Sequence, residues 1–465
     1  MQRFKSGAAS AAMLLVLFLE GCVLAPRGTD EERARVARAG AAWVAPAQDR
    51  ALPELPAEPA WSDVLRRAFL ANGDLEAAYL DWRAAVERID VAAGYPNTNV
   101  ALGYQYLFSG DDLKGWDRST FTIGSDPMQN LSFPTKVMAA GREALAEARA
   151  AGERFGAARL ELQQRVLTAW WEYALLAERI RIEREALALV GLSAAGARAR
   201  LGAGASAREL LALEVERRLA EDGVRRLEAD VIAHRARLNA LLARPAGEPL
   251  ALPSRLPEPR ALLIGDRELL ATAAARNPAL AALDREIEAR TGGVERAYQE
   301  FIPDVNPFAG FTGGIEQIAG VMASLPARVP ILLGMVREAR TRLARAEATH
   351  RQASSDTEAA VLATLAALRD RERQMALLEG EVRPLADRAA ANARAAYESG
   401  ALDVGELIEA EQLVLEIDLL EAEARTAREI RLAELEALIG FDVETVARAD
   451  AATAKAAAGA PGRSS

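Results

Sequence analysis

Apolar positions along this chain fall into steps of three and four over unusually long stretches. The series Leu210, Leu213, Arg217, Ala220, Val224, Leu227, Val231, His234, Leu238 and Leu241 alternates those steps. That is a heptad seam with a few polar or small interruptions. Leu413, Ile417, Leu420 and Ala424 repeat the pattern later in the chain. Upstream of each seam lies a stretch with few breakers, 137–196 and 333–398. Each predicts a helix on the order of 90 to 100 Å long at about 1.5 Å per residue. Pro384 predicts a kink in the second. A single globule has no room for such helices, so they must pack side by side. A generic antiparallel coiled coil would satisfy the heptads alone.

The landmarks between the helices occur twice, in the same order. Ala71-Asn72-Gly73-Asp74-Leu75 is answered by Asn277-Pro278-Ala279-Leu280, and Tyr95-Pro96-Asn97 by Phe301-Ile302-Pro303-Asp304. Ser132-Phe133-Pro134 is answered by Ser324-Leu325-Pro326, and Leu201-Gly202-Ala203-Gly204 by Glu398-Ser399-Gly400. Order and offset predict two tandem copies of one unit, 61–243 and 266–442, joined by the proline-punctuated stretch 244–265. Each copy predicts a short helix that breaks at Asn72-Gly73 or Asn277-Pro278, where Asp74 and Asn277 can cap the next helix. That helix runs to Pro96 or Pro303. A β segment, the very long helix, a glycine turn and a last helix follow. Residues 22–60 and 443–465 are expected to be irregular.

The β segments are Asn97–Phe108 with Ser119–Ile123, and Phe308–Thr312 with Ala319–Ala323. The second pair is shorter and carries Pro307 just before it, so it predicts the weaker hairpin. The fold class is therefore mainly α with a small β part of about four strands. Four strands cannot close a barrel, and open edges are not tolerated in lipid. Strands placed in a membrane would need several chains, each contributing a share.

Composition narrows the class. Ala, Leu, Glu and Arg dominate, and aromatics are only 5%, which suits long, closely packed helices. The formal charge of -10, from 57 basic and 67 acidic residues, gives no support to nucleic-acid binding. Residues 1–21 read as a signal peptide: Arg3 and Lys5, then the apolar run Ala8–Leu19. Leu19-Glu20-Gly21-Cys22 resembles the bacterial lipobox, which implies that Cys22 is lipidated and anchors the chain; the alternative is an ordinary secretory signal with an incidental cysteine. Val23 and Leu24 after it resemble outer-membrane sorting. Trp170, Trp171 and Tyr173 read as packing residues, and His234 and His350 are isolated. No phosphate loop, metal-ligand cluster or nucleophile elbow is present, so no catalytic residue, metal or cofactor is assigned.

The ordered landmarks resemble the TolC-like outer-membrane efflux proteins, especially their lipoprotein members. They include the turn Tyr397-Glu398-Ser399-Gly400-Ala401-Leu402-Asp403-Val404. The resemblance covers roughly residues 60 to 440. It implies a homotrimer with a 12-stranded barrel in the outer membrane and a hollow helical barrel across the periplasm. It also implies a periplasmic adaptor and an inner-membrane pump as partners, with small molecules or metal ions as cargo. By that likeness Tyr397, Glu406 and Glu409 form a pore gate, the two carboxylates lying i, i+3 on one helix face. Solvated helix charges are the plainer reading of both. Leu402 stands where some relatives carry a basic residue. Leu201, Gly202, Gly204, Gly400 and Ala401 match adaptor-docking tips; simple helix reversal is again the plainer reading. The competing function is a periplasmic coiled-coil scaffold or adaptor lipoprotein without a pore.

Overall fold

The computed structural model describes residues 23–46, 49–95, 100–108, 113–125, 132–201, 207–260, 262, 264–314 and 316–441. Cys22, the signal segment, Gly202, Gly204 and the tail 443–465 lie outside the described residues.

The chain is mainly helical with one small sheet. α1 (Thr29–Ala39) precedes the first copy: α2 (Trp61–Ala71), α3 (Gly73–Ala93), β1 (Val100–Tyr106), β2 (Ser119–Ser125), α4 (Pro134–Leu201) and α5 (Ala207–Leu241). The second copy repeats the order: α6 (Asp266–Arg276), α7 (Pro278–Gln299), β3 (Asp304–Thr312), β4 (Glu316–Ser324), α8 (Val329–Leu377), α9 (Arg383–Glu398) and α10 (Val404–Ile439). α4 runs 68 residues without a break. Its counterpart is interrupted by a π-turn, Leu378–Val382, immediately before Pro384. Proline has no N–H and its ring crowds the carbonyl four residues back, here that of Gly380. The wider π-turn makes room for it.

Two expectations need correction. The stretch 22–60 is not wholly irregular, because Thr29–Ala39 is helical. Asp30, Glu31 and Glu32 in its first turn and Arg38 in its last suit the helix dipole, and Glu32 and Val36 are buried. The cap of α3 is Asn72, not Asp74: Asn72 Oδ1 accepts from the amides of Asp74 at 3.1 Å and Leu75 at 3.2 Å.

The chain forms two compact units. The first holds the described residues up to Ala41, with Ala77–Phe155 and Pro278–Ala353. In it four helices pack as a row. α3 meets α4 through Trp82 stacked on Phe155, centroids 5.6 Å apart. α4 meets α7 where Thr135 donates to Gln299 at 2.7 Å. α7 meets α8 through Asp284 and His350, 3.0 Å apart. α1 lies over α3 and α4, with Glu32 accepting from Trp82 Nε1 at 2.9 Å and Arg35 reaching Glu153 at 3.1 Å.

The second unit holds Ala42–Glu76, Gly156–Asn277 and the described residues from Ser354 onward. Leu269, Val361, Leu365, Leu368, Leu432, Leu435 and Ile439 form its apolar core. Every member of the α5 seam from Leu210 to Leu241 is buried or half-buried, while Leu211, Val215, Leu219 and Ile232 between them are exposed. The α10 seam is only half as expected: Ile417 and Ala424 are buried, but Leu413 and Leu420 are exposed. Toward its C-terminus α10 buries positions on several sides, so one stripe does not describe it. Trp170, Trp171 and Tyr173 are fully buried, and the Tyr173 hydroxyl donates to the Leu250 carbonyl at 2.8 Å.

Candidate functional site

The sheet is antiparallel in the order β1-β2-β3-β4. The second hairpin is the longer one, with nine residues per strand against seven in the first, contrary to the sequence expectation. Pro307 is tolerated because β3 pairs with β2 only from Phe308 onward. Proline there removes a donor only where β4 is the sole neighbour.

Register sorts the side chains of β1 and β2 into two unlike faces, which β3 and β4 follow in part. Leu102, Tyr104, Phe121, Ile123, Phe311 and Val321 share one face. Gln105, Thr120, Thr122, Asn306, Thr312 and Glu316 share the other with Phe308, Ile318 and Met322, and there the Thr120 and Thr312 hydroxyls are 3.0 Å apart. On the apolar face Leu102 is 78% and Val321 66% exposed. At its end nearest the β1–β2 connection, Phe121 and Phe311 stack at 5.1 Å, with Tyr104 at 4.9 Å and Trp116 at 6.0 Å from Phe121. β1 and β2 thus alternate apolar and polar positions, with an aromatic cluster at one rim. β1 and β4 each have one neighbour, so both edges of the sheet are open.

The α9–α10 reversal is the second place of interest. α9 ends in a Schellman turn: the Ala401 amide donates to the Ala396 carbonyl at 2.8 Å and the Gly400 amide to that of Tyr397 at 3.0 Å. Gly400 has φ of 76°, the left-handed conformation that this turn requires. α10 then starts with a capping box. Asp403 Oδ1 accepts from the Glu406 amide at 3.0 Å, and Glu406 Oε2 accepts from the Asp403 amide at 3.4 Å. The sequence spacing Asp403-x-x-Glu406 carried that signal. Glu406 and Glu409 are both exposed, and among the described residues neither has a basic partner within ion-pair distance. The neighbouring Glu411 is paired with Arg394. Tyr397 is 46% exposed. In the first copy, Leu201 is the last residue of α4. Gly196, one turn and a half earlier, lies against Val404, so the end of α4 is beside the start of α10.

Two charge clusters of the second unit escaped the sequence reading. At the π-turn, Arg383 sits between Asp418 and Glu421, the latter at 2.9 Å. Burial pushes both carboxyls above their ordinary range; Arg383 and Arg181 pull Asp418 back by less. Deeper in the unit, Arg260 donates to Glu429 at 2.9 Å and to Glu436 at 3.0 Å, all three buried. Arg428 contacts the same Glu429 and reaches Glu372 at 3.1 Å. Glu429 and Glu436 lie 169 and 176 residues beyond Arg260 in the chain, and only the fold brings Arg260 to them.

No protein-family model matches the sequence, and no curated protein does. Solved structures do. The outer-membrane channel OprN aligns with a TM-score of 0.66 at 18% identity, over 83% of this chain and 90% of its own. The outer membrane protein VceC of Vibrio cholerae aligns at 0.65 and 16%, over 82% and 96%. The open state of the MtrE outer membrane channel of Neisseria gonorrhoeae aligns at 0.65 and 17%, over 83% and 90%. At such identities the likeness concerns the fold.

Proposed function

From the TolC-like outer-membrane channel fold that this chain has, we propose that three copies assemble into a duct, the outer-membrane component of a tripartite efflux or secretion system. The observation that carries the reading is the sheet. It has four strands and two open edges, and in β1 and β2 one face is apolar and the other polar, while β3 and β4 add Phe308, Ile318 and Met322 to the second face. In lipid every strand edge must be paired, and four strands do not close on themselves. Three copies supply twelve strands, enough for a barrel with water inside and lipid outside. No helix among the described residues is long and apolar enough to cross a membrane, so the strands are the part available to do so.

In this reading the long helices continue the duct into the periplasm. The α9–α10 reversal and the α4–α5 reversal form its inner end. There Tyr397, Glu406 and Glu409 line the constriction, and Gly400, Ala401 and Leu201 face a periplasmic adaptor joined to an inner-membrane pump. Gly202 and Gly204, the other matches to adaptor-docking positions, lie outside the described residues. Small molecules or metal ions are the cargo, and unpartnered carboxylates favour cations. Cys22, lipidated, holds the chain to the outer membrane. Replacing it with serine should abolish palmitate labelling; labelling that persists places the lipid elsewhere.

The test of assembly is direct. Outer-membrane fractions should contain oligomers that resist detergent and dissociate on heating, and the purified protein should conduct ions in planar bilayers. A scaffold without a pore predicts neither.

A further inference from the structure

We propose that neighbouring copies meet along α3 of one chain and α8 of the next, keyed by two ion pairs, Glu87 with Arg337 and Asp81 with Arg345. The inference rests on the assembly reading above and names the surface that performs it.

The first unit is an open row, α3-α4-α7-α8, so its two outer helices are α3 and α8. The sheet is open at β1, which follows α3, and at β4, which precedes α8. Both layers therefore end on the same two sides. Two different edges that must cover each other make a head-to-tail contact, which forms a ring where the rotation between copies closes.

The helix faces agree with this. At about 100° per residue, the side of α3 opposite its buried Tyr79, Trp82 and Val86 carries Leu80, Ala84 and Val91. Leu80 is 46% and Val91 79% exposed. The side of α8 opposite its buried Leu332, Val336 and Ala346 carries Thr341, Ala344 and Ala348, all exposed. Among the described residues, neither stripe has a neighbour in its own chain that covers it.

Charge supplies the register. Glu87 and Asp81 lie on opposite sides of Ala84 on α3, and Arg337 and Arg345 on opposite sides of Thr341 on α8. Among the described residues, none of these four side chains has a hydrogen-bond or ion partner. Their neighbours do: Asp90 holds Arg33, Glu147 holds Arg88 and Glu338 holds Arg342. α3 runs toward the sheet and α8 away from it, so the two helices meet antiparallel. That arrangement places Glu87 and Arg337 on one side of the seam, about 9 and 12 Å from the sheet-proximal helix ends. It places Asp81 and Arg345 on the other side, about 18 and 24 Å from those ends. The order matches, and the offset is within the reach of an arginine side chain. Ala84 and Thr341 then face each other between the pairs.

The test uses the full-length protein in detergent and three variants, Glu87→Arg, Arg337→Glu and the charge-swapped double. Each single reversal should lower the temperature at which the oligomer dissociates on a semi-native gel, and the swap should restore it. Separately, Ala84→Cys with Thr341→Cys should oxidise to a covalent ladder of chains, which neither single cysteine forms. An oligomer whose dissociation is unmoved by the reversals, or that the swap fails to rescue, overturns the pairing, as does a double-cysteine oligomer with no ladder. A wild-type protein that never forms an oligomer overturns the assembly reading itself and this inference with it.

Discussion

Asn72 donates its side-chain Nδ2 to the carbonyl of Leu241 at 3.2 Å, at the end of the last helix of its copy. Asn277, the matching residue, does the same to Leu438 at 2.8 Å. The duplication thus extends to a bond that ties the opening of each copy to its close. Both asparagines are buried, so truncation leaves a helix-end carbonyl without its donor, and at Asn72 also removes the cap of α3. Asn72→Ala and Asn277→Ala should each cost roughly 1–3 kcal/mol. Thermal unfolding would show both lowering the midpoint. A neutral result at either would mean that the bond is dispensable.

Arg260 offers a larger effect. Its guanidinium serves two carboxylates that are essentially without solvent, Glu429 and Glu436. Arg428 and Gln163 reach those acids too, but each from another side. Arg260→Ala leaves buried negative charge short of a partner, at a cost of about 3–5 kcal/mol. Denaturant titration should show a midpoint shift well beyond that of Arg285→Ala, which removes only an exposed helical pair with Glu288. Equal shifts would show that the network is not what holds this end of the unit.

The π-turn cluster sets a pH dependence. Burial raises the Asp418 carboxyl in the folded chain above its unfolded value. A raised carboxyl binds its proton more tightly when folded, so its contribution is favourable below the unfolded pKa and is lost as pH rises through the folded one. Asparagine mimics the protonated form. Asp418→Asn should therefore gain stability relative to wild type as pH is taken from 4 to 7, read as the difference between their melting temperatures. A difference that stays flat across that window would remove Asp418 as a titrating group.

Legibility followed the reach of the interaction. Prolines, glycines and the i, i+3 seam act within a turn or two, so the long helices, the α9–α10 reversal and the α5 stripe could be read from the chain. The α1 helix was missed because its apolar positions are few and Val36 and Glu32 are buried against helices far along the sequence. The second hairpin was undervalued at Pro307 because strand pairing on only one side cannot be seen without the sheet. Arg260 lay in a stretch that read as a mere joint. Glu406 was read by its charge, and its backbone role in the capping box went unnoticed.

That double role separates the two gate carboxylates. Glu406 accepts from the Asp403 amide and so closes the first turn of α10; Glu409 makes no such bond. Both are exposed, neither has a cationic partner among the described residues, and three copies would bring three of each to the inner end of the proposed duct. Glu409→Ala should therefore lower cation preference in planar bilayers and leave thermal stability unchanged. Glu406→Ala should lower cation preference and also cost about 1 kcal/mol as the cap is lost. Glu406→Gln keeps an acceptor for the amide, so it should lose selectivity while retaining most of the stability. If reversal potentials in asymmetric salt match wild type for both alanine variants, the carboxylates do not line the constriction. A stability loss at Glu406 alone would then leave that residue as a helix cap.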